Sequence, residues 1–162
     1  GLFIGLLARH RNITLATGFD ASSPAIALAQ KMRSIHPKAD KISFEHRAVE
    51  APWPDQMFDV VTIIDLFHHL SHADQASTFK NAVNRLKPGG KLIFKDVGRA
   101  PAWRAFFSWL HDLVVAREFI HIPHERDIAA WARDNEITVT NRATYNMWWY
   151  GHELWVFEKP VS

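Results

Sequence analysis

Four short stretches of this sequence hold residue types that could do chemistry. Gly1 stands before an apolar helical segment, and Asp20 follows 19 residues later at the end of a β-type run. An acid about 20 residues past a glycine turn is the arrangement in which a carboxylate accepts hydrogen bonds from ribose hydroxyls; the alternative is an Asp that only shapes a turn. His68 and His69 follow the apolar run Phe58 to Ile64. An imidazole with an ordinary pKa near 6.5 could take a proton from a hydroxyl at neutral pH, and the alternative is one packed histidine and one facing water. His68 and His72 have the i, i+4 spacing of paired metal ligands without a clear third ligand, and His121-Ile122-Pro123-His124 is interrupted by proline. No metal site is expected.

The elements that must position these residues alternate. Leu2 to Ala8 reads as a buried helix, apolar nearly all round and ending in Arg9-His10-Arg11. Ile13 to Phe19 reads as a strand, and Ser23-Pro24 as the N-cap and first residue of a helix to about Ser34. Lys41 to Ala48 is a second strand, followed by a proline loop, Pro52-Trp53-Pro54-Asp55. Phe58 to Ile64 is a run β-branched from Val60 on, as in a strand covered on both faces. Ser71 caps a helix through Leu86 that Lys87-Pro88-Gly89-Gly90 stops, and Lys91 to Val97 is the next strand. Such alternation with short connections predicts a parallel α/β sheet with helices on both faces. An amphipathic helix from Pro101, a shorter one around Ile128 to Ala132, and closing strands at Ile137 to Thr144 and Glu153 to Glu158 complete the chain.

Composition bounds the function. The 162 residues are sized for one domain, with a core at 1–98 and a helical insert and closing strands at 99–162. A net charge of +2, from 19 Lys and Arg against 17 Asp and Glu, indicates no nucleic-acid footprint. The absence of cysteine rules out disulfides and thiolate metal sites and fits a cytoplasmic protein. No apolar run reaches the roughly 20 residues of a membrane span, although a peripheral membrane contact is compatible with the sequence.

The order of the segments resembles a known family. Gly1-Leu2-Phe3 is similar to the tail of the Gly-x-Gly-x-Gly loop of class I S-adenosylmethionine-dependent methyltransferases of the small-molecule type, and Gly18-Phe19-Asp20-Ala21-Ser22 to their second-strand motif. Ala48 to Asp55 with Phe58-Asp59-Val60-Val61, then Asp65-Leu66-Phe67-His68-His69-Leu70, and finally Arg85-Leu86-Lys87-Pro88-Gly89-Gly90-Lys91-Leu92 resemble the segments that follow. The resemblance covers Gly1 to Val97 in the family's order. It implies a Rossmann-like, mostly parallel sheet with an antiparallel C-terminal strand, in which the strand before Gly1 is central; the first strand is therefore expected to be missing and the chain, which starts at Gly rather than Met, to be an N-terminally truncated piece.

The resemblance further implies S-adenosylmethionine as cofactor, with Gly1, Asp20, Ala21, Ala48, Val49 and Asp65 as binding residues. Arg47 stands where many relatives place an acid for the adenine amino group, and Arg accepts no hydrogen bond. Glu50 substituting, a register one residue off, or a base held only by the backbone of Ala48 and Val49 are the alternatives. The reaction implied is methyl transfer to a small acceptor, with His68 or His69 as base if the acceptor is a hydroxyl. Residues 109–162 hold five of the seven tryptophans, which suits an apolar or aromatic acceptor or plain packing; Trp109, Tyr150 and His152 are the acceptor-contact candidates. The rivals are a nucleotide-dependent oxidoreductase, which lacks its Tyr-x-x-x-Lys pair here, and a non-catalytic scaffold subunit. The sequence does not define an oligomeric state.

Overall fold

The computed structural model describes residues 1–98, 121–147 and 150–161. The Pro101 helix and Trp109 lie outside the described residues. Contacts divide the chain into two compact units, Gly1–Trp53 and Pro54–Ser162.

The first unit contains α1 (Leu2–His10), β1 (Ala16–Asp20), α2 (Ser23–Ser34), a 3-10 turn (Ala39–Lys41) and β2 (Ile42–His46). β1 and β2 pair in parallel, with Ala16 opposite Ile42 and Asp20 opposite His46. The cap of α2 is Ser22 rather than Ser23: its side chain accepts from the Ala25 N–H, which leaves Ser23 and Pro24 in the first turn, where proline's missing N–H costs nothing. The expectation of a buried α1 is overturned. Leu2 is 73% exposed and Leu6 48%, and only Gly5 and Ala8 are buried. Within this unit α1 finds packing partners along one narrow edge only. A methyl group on Gly18 would stand 2.7 Å from Ile4 Cδ1, so β1 needs glycine there to let α1 approach.

The second unit runs β3 (Phe58–Ile64), a 3-10 turn (Phe67–His69), α3 (His72–Asn84), β4 (Leu86–Val97), α4 (Glu125–Asp134), β5 (Thr138–Met147) and β6 (Tyr150–Glu158). Its sheet order is β3-β4-β6-β5. β3 and β4 are parallel, and β6 is antiparallel to both β4 and β5, so β6 alone runs against the rest. This matches the expected α/β class with one antiparallel closing strand. Phe67, Phe79, Phe94 and Phe157 are fully buried and meet edge-on as Phe67–Phe94 and Phe79–Phe157, the geometry their ring quadrupoles favour.

Two sequence expectations change here. β3 is not covered on both faces: Val60 is 47% exposed and only Ile63 is buried, and β3 pairs only with β4 among the described strands. The Lys87-Pro88-Gly89-Gly90 segment lies inside β4 rather than before it. Pairing jumps from Phe58–Leu86 to Val60–Lys91, so these residues bulge out of the ladder. Gly89 takes a left-handed φ of 73°, and a side chain on Gly90 would meet the carbonyl oxygens of Lys87, Phe58 and Asp59 at 2.8 to 3.3 Å.

Candidate functional site

In the first unit the carboxyl end of β1 presents Asp20, exposed at the surface. Its Oδ1 accepts from the Ser22 N–H at 2.8 Å, so Asp20 does shape the turn into α2. Among the described residues that is the one hydrogen bond of its side chain, which is exposed. The turn is braced from β2: His46 Nε2–H donates to the Ala21 carbonyl at 2.9 Å and lies 3.1 Å from Ser23 Oγ. The Arg47 N–H donates to the Asp20 carbonyl at 3.0 Å. Gly1 is the N-cap of α1, and a methyl group there would lie 2.6 Å from Ala29 Cβ, so packing alone already requires glycine.

The loop after β2 is tightly tied. Arg47 donates through Nε and Nη2 to the Glu45 carboxylate and through Nη1 to the Pro52 carbonyl. The Trp53 indole donates to the Val49 carbonyl at 2.9 Å and packs edge-on against Phe19 at 5.1 Å. Val49 is buried, while Ala48 and Glu50 are exposed.

In the second unit the ends of β3 and β4 bring together residues far apart in sequence. His68, 6% exposed, lies in the 3-10 turn after β3, and its Nδ1 makes a close hydrogen bond to Oδ1 of Asp96, 1% exposed near the end of β4. Asp96 Oδ2 accepts the His68 backbone N–H at 3.2 Å, and Oδ1 also accepts from Val97 N at 2.7 Å. A carboxylate can only accept, so Nδ1 carries the proton of this bond, and Nε2 is the ring nitrogen outside it. His69 is exposed, its ring 4.0 Å from that of His68. The turn itself is held by fully buried Gln75, whose Nε2 donates to the carbonyls of Phe67 (2.9 Å), Leu70 (3.3 Å) and His121 (2.6 Å). His121 N–H in turn donates to the His68 carbonyl at 2.7 Å.

Asp65 ends β3 with a left-handed φ of 50°, which Asp tolerates better than most residues. Both its oxygens take the Lys95 ammonium, at 2.6 and 2.7 Å. Lys95 also donates to His152 Nδ1 at 3.3 Å. Burial, and then the Lys95 charge, hold the His152 imidazole below its ordinary pKa, opposed by the carboxylates of Asp65 and Asp96. Lys95 and Asp96 are consecutive in β4, so they project to opposite faces of the sheet.

The structure thus joins His68 to Asp96 and Asp65 to Lys95 and His152. Of Tyr150 only the backbone is described, at the start of β6. His68 and His72 do not share a helix face, because His68 precedes α3 and His72 begins it; among the described residues no three metal-ligating side chains cluster. Sequence reading missed Asp96, Lys95 and Gln75. Asp96 had a signal, as one of two charged residues, with Lys95, inside the apolar strand end Leu92 to Val97.

A family described as methyltransferase domains matches residues 1–94. The ubiquinone biosynthesis O-methyltransferase of Stutzerimonas stutzeri is 30% identical over 114 residues, 65% of this chain and 47% of that protein. The protein of the same name from Coxiella burnetii is 29% identical over 143 residues, 85% of this chain and 56% of that protein. The chain spans about half the length of these curated relatives. Among solved structures, the N-methyltransferase NodS from Bradyrhizobium japonicum superposes with a TM-score of 0.71 at 20% identity, covering 98% of this chain and 79% of that one. Magnesium protoporphyrin IX methyltransferase from Synechocystis, with bound S-adenosylhomocysteine, gives 0.74 at 14%, covering 95% and 67%. At these identities the structures show the shared fold.

Proposed function

We propose, for a chain that belongs to the class I S-adenosylmethionine-dependent methyltransferase family, that it serves O-methylation of a small, apolar or aromatic acceptor, with His68 as the base. The observation that carries this reading is the buried His68–Asp96 pair at the ends of β3 and β4. The relatives named above, both O-methyltransferases, support an oxygen acceptor.

The residues present fit the cofactor on its ribose side. Asp20 offers an exposed carboxylate with acceptor capacity left over, which is the complement of two hydroxyl donors. On the base side the donors of Arg47 offer the adenine amino group nothing. S-adenosylmethionine supplies a methyl group on a positively charged sulfur, which an acceptor oxygen displaces in line. The chain's own tasks are then to hold the nucleoside at Asp20, to align the acceptor, and to take its hydroxyl proton on Nε2 of His68 as the carbon–oxygen bond forms. Asp96 stabilises the imidazolium that results and keeps the ring from turning. Lys95 and His152 supply polar contacts at the same strand ends.

The family match runs from residue 1 to 94, across the boundary between the two units, which supports reading the chain as a single domain. No helix among the described residues is long and apolar enough to cross a membrane, and a cytoplasmic location fits the cysteine-free composition.

Methyl transfer from isotopically labelled S-adenosylmethionine to small phenols and alcohols tests the proposal. His68→Ala should slow transfer about a hundredfold or more while leaving the affinity for S-adenosylhomocysteine unchanged. Transfer that persists at the wild-type rate would remove His68 from the mechanism.

A further inference from the structure

A purine held beside Asp20 meets the loop that leaves β2, because Asp20 lies opposite His46 and the Arg47 N–H donates to the Asp20 carbonyl. Adenine carries two N–H donors on its 6-amino group, and a protein reads that group with an acceptor, most strongly a carboxylate. The acceptors nearest Arg47 are drawn into the loop's own bonds, with Oε1 of Glu45 left over. Glu45 takes Nε and Nη2 of Arg47 at 3.2 and 2.7 Å, and the Pro52 carbonyl takes Nη1. The Ala48 carbonyl takes Ala51 N–H at 3.2 Å, and the Val49 carbonyl takes the Trp53 indole. Position 47, first in the loop, presents a guanidinium with donors only. Glu50 and the second oxygen of Glu45 remain, Glu50 exposed in the turn that the Ala48–Ala51 bond closes.

We infer that this loop holds the nucleoside base without reading its 6-amino group, Arg47 serving as a strut between Glu45 and Pro52. The inference rests on the S-adenosylmethionine reading above. It makes the protein tolerant of purine nucleosides that lack the amino group, a specificity set by one residue.

Calorimetric titration of the protein with S-adenosylhomocysteine and with its 6-deamino analogue, in which purine replaces adenine, decides the matter. The two dissociation constants should agree within about threefold, whereas loss of a charged hydrogen bond would separate them by about tenfold or more. Arg47→Asp should create discrimination of about that size in favour of the amino-bearing compound; if this variant loses the loop, the wild-type comparison still stands. Discrimination of tenfold or more by the wild type overturns the inference, and its disappearance in Glu50→Ala would name Glu50 as the reader. Binding of neither compound would instead overturn the cofactor reading itself, and this inference with it.

Discussion

Asp96 holds His68 twice, its Oδ1 accepting from the ring Nδ1 and its Oδ2 from the backbone N–H of the same residue at 3.2 Å. One buried carboxylate therefore sets the ring's tautomer and the path of the turn that carries it. Asp96→Asn keeps the shape and removes the charge, so imidazolium formation loses its counter-ion. The expected outcome is a fall in kcat of about a hundredfold or more with KM nearly unchanged. Steady-state kinetics on the folded variant checks it, and a change in KM alone would show a merely structural role.

Gln75 supports the same turn from beneath. Replacing it by Ala removes the donor shared by the carbonyls of Phe67, Leu70 and His121, of which only Phe67 keeps a second donor, the Leu70 N–H, among the bonds described. Stability should drop by about 2 to 4 kcal/mol. Gln75→Glu should be worse, since a carboxylate would face those carbonyl oxygens. Urea denaturation of both variants gives the order.

Asp20 is expected to carry the ribose. Asp20→Ala should weaken S-adenosylhomocysteine binding by about 2 to 4 kcal/mol, the loss of two hydrogen bonds to a charged group. Equal affinity of variant and wild type in a calorimetric titration would leave Asp20 as a turn residue only.

The pH dependence of stability should carry the mark of His152. Burial and the Lys95 charge hold its folded pKa below the 6.5 of an ordinary imidazole. Between the two values the unfolded chain binds a proton that the folded chain refuses, so stability falls as pH drops from about 6.5 through the lower folded value. His152→Gln should flatten that part of the profile relative to wild type. Thermal unfolding from pH 8 to pH 5 measures the difference, and parallel curves would show that His152 does not contribute.

Gly90 tests the bulge in β4. Any side chain there meets three backbone oxygens, which cannot swing aside as a side chain could. Gly90→Ala should cost about 1 to 3 kcal/mol by overpacking. A thermal midpoint equal to that of wild type would mean that the strand moves freely enough to absorb the methyl group.

The local features of this chain were legible from its residues. Alternating patterns placed α2, β3, α3 and the closing strands within a few positions, because propensity, capping and period are properties of neighbours in sequence, as Ser71 capping α3 shows. The ordered motifs from Gly1 to Val97 carried the family, and Asp20 at a strand end was legible from its neighbours alone. What sequence could not supply was burial and partnership. The apolar face of α1 and the β-branched β3 looked buried, yet both are partly open, since hydrophobicity states a tendency and only the neighbours present decide the outcome. Asp96 lies 28 residues from His68, and Lys95 lies 30 from Asp65 and 57 from His152. No local period encodes such separations. The parallel register of β3 against β4, and the antiparallel return of β6, bring those side chains within hydrogen-bond reach, so the pairing of His68 with Asp96 was decided by the tertiary structure alone.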